Sequence, residues 1–169
     1  FVKYFSWPLI FSHIQKEINR RGQVYFLYDD TKSIPFVVKK IQNRFKRSVV
    51  VGASGKMESK ELEETVLAFF EGSIDVLVCT TIIESGLDVT NANTMIINNA
   101  QNFGLSQLYQ IRGRVGRGNR QASCLLLLPP GKMLEKDAYN RLKAIEQNKY
   151  SFRKRLCYFE KRLGDKRFW

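Results

Sequence analysis

The chain holds one histidine, His13, and only three cysteines, Cys79, Cys124 and Cys157, of which no two form a C-x-x-C pair. That spacing argues against both a zinc site and a disulfide framework. Cys79 and Cys124 fall inside apolar runs, where a thiol usually behaves as a small buried hydrophobe. No stretch approaches the roughly 18 consecutive apolar residues of a membrane span, and the opening FVKYFSWPLIF is too polar and too short to be one. A soluble, intracellular chain with no membrane partner is expected. Acids are scarce as well, 16 Asp and Glu against 28 Lys and Arg, and the net charge of +12 points to a polyanionic partner, nucleic acid first. The chain opens on Phe1 rather than Met, so it is expected to be a piece of something longer.

A phosphate-binding loop is missing too. VVVGASGKMES, residues 49–59, runs a β-branched trio into a Gly-rich turn with a lysine. A P-loop needs four residues between its glycines to wrap backbone N–H groups around the phosphates, and a hydroxyl after the lysine to hold magnesium. Here only Ala53 and Ser54 separate Gly52 from Gly55, and Met57 stands where the hydroxyl should be. No Asp-Glu magnesium motif occurs in the 169 residues either. Hydrolysis of a nucleoside triphosphate by this chain alone is therefore not expected.

What is present is a series of nearly continuous apolar runs: 23–28, 48–53, 75–81, 94–99 and 123–128. Runs of that kind read as strands of a parallel sheet buried on both faces, with helical patterns between them. Ile10, Ile14 and Ile18 line a first helix that Gly22 closes; Ile34, Val37, Val38, Ile41 and Phe45 line a second; Leu62, Val66, Phe69 and Phe70 mark a third, ended by Gly72. The fold class is α/β, a three-layer αβα sandwich with a mainly parallel sheet. A helical lead-in over 1–21, a sheet domain over 22–132 and a basic helical extension over 133–169 are expected. Residues 149–169 hold eight Lys or Arg against two acids, a surplus of six and half of the net +12. Phe152, Leu156, Phe159 and Leu163 recur there at helical spacing. A basic amphipathic helix docked on the domain and an unstructured read-through both fit that pattern.

In an open α/β sheet, ligands gather beyond the carboxyl ends of the strands. Three polar clusters are candidates: Ser54, Gly55 and Lys56; Thr80, Thr81, Glu84, Ser85, Gly86 and Asp88; and residues 107–120, which contain QIRGRVGR. In the last, Arg114 and Arg117 are three apart, so on a helical turn they project from one face. Gly113 and Gly116 would let a phosphate or another backbone come close. Guanidinium forks suit the spread charge of a phosphoryl group in transfer. Taken alone, the same residues would also serve a basic surface turn without chemistry.

Together, TTIIESGLDV (residues 80–89) and QIRGRVGR resemble motifs V and VI of superfamily 2 helicases, and GASGKM resembles the Gly-Lys-Met loop of their second RecA-like lobe. With the intervening NANTMIINNAQNFGLSQLYQ, the likeness is greatest to the translocase module of the transcription-repair coupling factor (Mfd) family, with the RecG helicases next. It covers about residues 15–146. The resemblance implies the second RecA-like lobe of an ATP-dependent double-stranded DNA translocase in DNA repair or transcription-repair coupling. ATP with Mg2+ would be bound mainly by an upstream RecA-like lobe carrying the P-loop, and RNA polymerase would be an optional further partner. Arg114 and Arg117 would reach the triphosphate, Arg117 or its neighbour as arginine finger, with Gln110 sensing the γ-phosphate. Gly86 and Asp88 would sit by the ribose. Ser54, Gly55, Lys56, Thr80 and Thr81 would touch the nucleic-acid backbone. A plastid or bacterial-type repair system fits the resemblance. Ser54 stands where these relatives commonly have His, and the match ends after about residue 148, where the family continues into a coupling hairpin; a truncated or alternatively spliced product is one reading of that break. A non-catalytic nucleic-acid-binding module and an RNA helicase lobe remain the alternatives.

Overall fold

A computed structural model describes residues 2–80, 92–113, 122–131 and 134–147. Six strands form its sheet: β1 (Val2–Tyr4), β2 (Gln23–Leu27), β3 (Val50–Ala53), β4 (Val76–Cys79), β5 (Ala92–Ile97) and β6 (Ser123–Leu128). Their order is β1-β6-β5-β2-β4-β3, and every neighbouring pair is parallel. Side chains alternate across it although the runs are apolar throughout. Val24, Phe26, Val76, Val78, Ile96 and Leu125 face one layer; Tyr25, Leu27, Leu77, Met95, Ile97 and Leu126 face the other. Both faces are covered, so the αβα sandwich with a parallel sheet is borne out.

The first layer is α1 (Trp7–Asn19) and α2 (Ile34–Arg44), which bury Ile10 and Ile14, and Ile34, Val37 and Ile41. Each helix opens with a proline in its first turn, Pro8 or Pro35, where the missing N–H costs nothing and the fixed φ suits the helix. The second layer is α3 (Ser59–Phe70), α4 (Leu105–Gly113) and α5 (Lys136–Gln147), which contribute Phe69, Leu108, Leu142 and Ile145. The helical pattern from Leu134 onward is met by α5 as far as Gln147; the basic tail lies outside the described residues.

β1 has no counterpart among the sequence-derived strands. It pairs with β6 in the register Val2↔Leu126 to Tyr4↔Leu128, at the sheet edge. Only three residues long, with Lys3 and Tyr4 exposed, it carries no apolar run to announce it.

The ends of α1 and α3 show one device built two ways. After α3, Gly72 adopts φ +84°, and the N–H groups of Gly72 and Ser73 return to the carbonyls of Phe69 and Ala68 at 3.2 and 2.9 Å. This is the Schellman closure, with glycine in the left-handed position that favours it. After α1 the same two bonds run from Arg21 to Ile18 and from Gly22 to Glu17, at 2.9 and 3.0 Å. There the left-handed residue is Arg21, at φ +55°. Gly22 is required for space instead: a Cβ on it would lie 1.8 Å from Oε1 of Glu17. Glu17 is buried and accepts hydrogen bonds from Nε of Arg20 at 3.0 Å and from the Thr94 hydroxyl on β5, so α1 is tied to the sheet by a charged group inside the fold.

Candidate functional site

Ala53 and Cys79 are register partners at the carboxyl ends of β3 and β4. One residue further on, Ser54 and Thr80 are therefore neighbours across the ladder, and the Thr80 N–H still donates to the Ala53 carbonyl at 3.3 Å. The turn after Ser54 closes on itself: Met57 N–H donates to the Ser54 carbonyl at 3.0 Å, and Ser54 N–H donates to the Met57 sulfur at 3.3 Å. Met57, placed where a P-loop would have its hydroxyl, holds this turn from within. Gly55 and Lys56 are exposed, and a Cβ on Gly55 would meet no described residue within 4 Å. The backbone here is open to close approach by a ligand.

Beside this turn lies a groove of about 330 Å³ lined by Thr31, Ile34, Pro35, Val38, Gly52 and Met57 among others. Gly52 belongs to β3 rather than to the turn. Its Cβ would lie 2.7 Å from Cγ2 of Ile34 and 3.1 Å from that of Val38, so the glycine lets α2 settle onto the strand. Gly52→Ala should push α2 outward and cost about 1–3 kcal/mol in a chemical denaturation curve, the range for overpacking a tight contact. A loss below a few tenths would show that α2 has room to move.

At the carboxyl ends of β2 and β5, in the middle of the sheet, stands a cluster that the motif reading missed. The Asp29 carboxylate accepts from the side-chain amides of Asn98 at 3.3 Å, Asn99 at 3.0 Å and Asn102 at 3.2 Å. Asn99 takes a left-handed conformation, φ +48°, and turns the chain into the short 3-10 segment 100–102 that leads to α4. The clue in the sequence was the asparagine-rich stretch at a strand end. Next to it, hydrogen bonds from the Ser33 hydroxyl and the Lys32 N–H hold the Asp30 carboxyl below its ordinary range, while burial and these two carboxylates raise the Tyr28 phenol.

α4 carries the start of the third cluster. Gln107 reaches back to the Gly104 N–H at 3.0 Å and caps the helix, while Leu108 is buried beneath it. Arg112 is turned to the protein: its guanidinium lies 4.9 Å from the Tyr109 ring and donates to the Ile145 carbonyl at 3.3 Å, in the last turn of α5. Gln110 is exposed, and a Cβ on Gly113 would meet no described residue within 4 Å. Thr81, Gly86, Asp88, Arg114, Gly116 and Arg117 lie outside the described residues, as does Glu84. The structure thus brings Ser54, Gly55, Lys56 and Thr80 together and sets Gln110 and Gly113 on a helix anchored at both ends.

The two described cysteines lie within strands, Cys79 at the end of β4 and Cys124 in β6. Burial pushes the Cys79 thiol up to about 12. Among the described residues no group of His, Cys, Asp and Glu is gathered to hold a metal, and no helix is long and apolar enough to cross a membrane.

Residues 9–119 match the helicase conserved C-terminal domain family. The chain is 48% identical over 133 residues to the transcription-repair-coupling factor of Haemophilus influenzae, spanning 79% of this chain and 12% of that protein. It is 44% identical over 134 residues to a chloroplastic ATP-dependent DNA helicase of Arabidopsis thaliana, spanning 79% of this chain and 16% of that one. Among solved structures it resembles RecG bound to a three-way DNA junction, at 34% identity and a TM-score of 0.72 over 86% of this chain and 19% of that chain. The C-terminal domain of a DEAD-box protein shares the fold, at 18% identity and a TM-score of 0.61. The chain spans well under a fifth of the length of these curated relatives.

Proposed function

Since the chain belongs to the family of helicase conserved C-terminal domains, close to the Mfd and RecG members of superfamily 2, we propose that it serves as the second RecA-like lobe of an ATP-dependent double-stranded DNA translocase in DNA repair or transcription-repair coupling. The observation that carries this reading is the pairing of the Ser54–Lys56 turn with Thr80 just past the register partners Ala53 and Cys79. It sets two hydroxyls, an open glycine backbone and an exposed lysine on one edge, a set suited to successive phosphates of one strand.

ATP with Mg2+, held mainly by an upstream lobe with a P-loop, would supply the phosphoryl transfer that drives the cycle. Toward a phosphate-bearing ligand the described residues offer the exposed Gln110 and, at Gly113, a backbone that no other described residue crowds. Arg114 and Arg117 would reach the triphosphate on cleft closure, with Arg117 or its neighbour as finger and Gln110 reporting the γ-phosphate. Gly86, Asp88 and Gly116 would complete the nucleotide contacts, Asp88 accepting from the ribose hydroxyls. Opening and closing would then shift Ser54, Lys56, Thr80 and Thr81 along the DNA backbone. RNA polymerase would be the partner in the transcription-coupled form, in a bacterial or plastid setting.

The test is binding of the complete protein to matched DNA and RNA duplexes. Ser54→Ala with Lys56→Ala should weaken DNA binding uniformly across sequences, as removing groups that touch only the phosphate backbone does. A preference for RNA would favour an RNA helicase lobe, and an unchanged affinity would remove this turn from the interface.

A further inference from the structure

Residues 31–57 contain seven Lys or Arg and no Asp or Glu, more than half of the net charge of +12 in a segment far from the basic tail. The structure spreads them over the height of the domain. Lys32 and Lys56 flank the groove at the carboxyl ends of the strands. Lys39 lies on the outer face of α2, and Arg44, Lys46 and Arg47 follow at its far end, where the chain enters β3. All six are exposed. The seventh, Lys40, is engaged otherwise: its ammonium sits 4.6 Å from the Trp7 ring and 5.5 Å from Phe36, itself 61% exposed.

Two observations separate this stripe from an ordinary solvated helix face. First, it is not neutralised. The ion pair of Arg20 with Glu17 involves none of these cations. The carboxylates that border the stripe are occupied by hydrogen bonds, Asp30 by the Ser33 hydroxyl and the Lys32 N–H, and Asp75 by the Val49 N–H at 2.8 Å. Second, charge is sorted between α2 and α3. On the opposite face of the sheet, α3 and its flanks present Glu58, Glu61, Glu63, Glu64 and Glu71 against the single Lys60. A surface charged only for solubility would mix the signs.

We propose that the outer face of α2, from Lys32 to Arg47, is a second contact surface for a nucleic-acid phosphate backbone, apart from the Ser54–Thr80 edge and reaching to the opposite end of the domain. α2 has 11 residues. At 1.5 Å per residue it is about 16 Å long, which spans roughly five phosphates of a strand spaced at about 3.4 Å along the duplex axis. Exposed cations set along this segment match a repeating phosphate backbone and carry no base-reading geometry, so the contact is sequence-blind. This goes beyond the motor reading and rests on charge placement alone.

The experiment measures affinity of the full chain for a short DNA duplex across a salt series. Replacing Lys39, Arg44, Lys46 and Arg47 together by Gln should make the slope of log K against log salt shallower by about 3.6, roughly 0.9 for each phosphate no longer neutralised. Arg44→Lys with Arg47→Lys should keep the slope, and melting curves should not move. If the fourfold variant does not fold, Lys39→Gln with Lys46→Gln should still make the slope shallower by about 1.8. An unchanged slope overturns the proposal. So does loss of binding to phosphatidylserine vesicles with duplex binding intact, which would assign the stripe to a lipid surface. Lys56→Gln with Ser54→Ala reports on the strand-end edge separately: no effect there, with the α2 effect intact, would count against the motor contacts and leave the stripe standing.

Discussion

Arg117→Ala in the complete enzyme should slow ATP hydrolysis by about 10³-fold or more, the scale of losing an arginine finger. The transferring phosphoryl group spreads negative charge over its equatorial oxygens, and a guanidinium aimed at them acts in the transition state rather than in substrate binding. The loss should therefore fall on kcat, with KM for ATP little changed. Arg117→Lys should not rescue it, because an ammonium lacks the planar fork. The described part of the segment supports a stiff mount: Leu108 is buried, Gln107 caps α4, and Arg112 holds the last turn of α5 through the Ile145 carbonyl. If turnover is unchanged, the role passes to Arg114 or leaves this segment.

The largest stability effect is expected where α1 meets β2. A Cβ on residue 22 would lie 1.8 Å from Oε1 and 2.8 Å from Cδ of Glu17. That carboxylate cannot swing aside freely, since it is buried and engaged by Arg20 and Thr94. Gly22→Ala should cost about 2–4 kcal/mol, the scale of displacing a buried charged group from its partners. Glu17→Ala should also be costly, but in that background Gly22→Ala should cost less than about 1 kcal/mol, with a coupling of about 1–3 kcal/mol in the double-mutant cycle. Additive effects in urea denaturation would mean that the two residues do not compete for the same space.

The five longer strands were legible because a sheet covered on both faces needs apolar side chains in both directions, and runs such as QVYFL and SCLLLL have no other use. The fifth strand, β5, shows the limit of that signal. The apolar run suggested 94–99, yet the strand is Ala92–Ile97: Asn98 still donates its N–H to the Leu27 carbonyl, but Asn99 turns left-handed and its side chain meets Asp29. β1 was hidden because an edge strand of three residues needs few apolar contacts. Gly22 was read as a stop signal and proved to be a matter of space, since the left-handed position fell to Arg21. In the candidate site, the motifs picked out the turn at Ser54 and the helix under Gln110. The Asp29 cluster and the tie from Arg112 to Ile145 were not legible, because each depends on which residues the fold brings side by side; the basic run over 31–57 stood in the sequence, but the motif reading did not single it out.

Joining two lobes is the most direct test of the assignment. ATP turnover should be measured, with and without duplex DNA, for residues 1–169 alone and for the same chain joined to the upstream P-loop lobe that the proposed assignment requires. The expected result is background turnover for the chain alone and DNA-stimulated turnover for the joined protein, abolished by Arg117→Ala. Robust turnover by residues 1–169 in a clean preparation, or joined turnover indifferent to both DNA and Arg117, would contradict it.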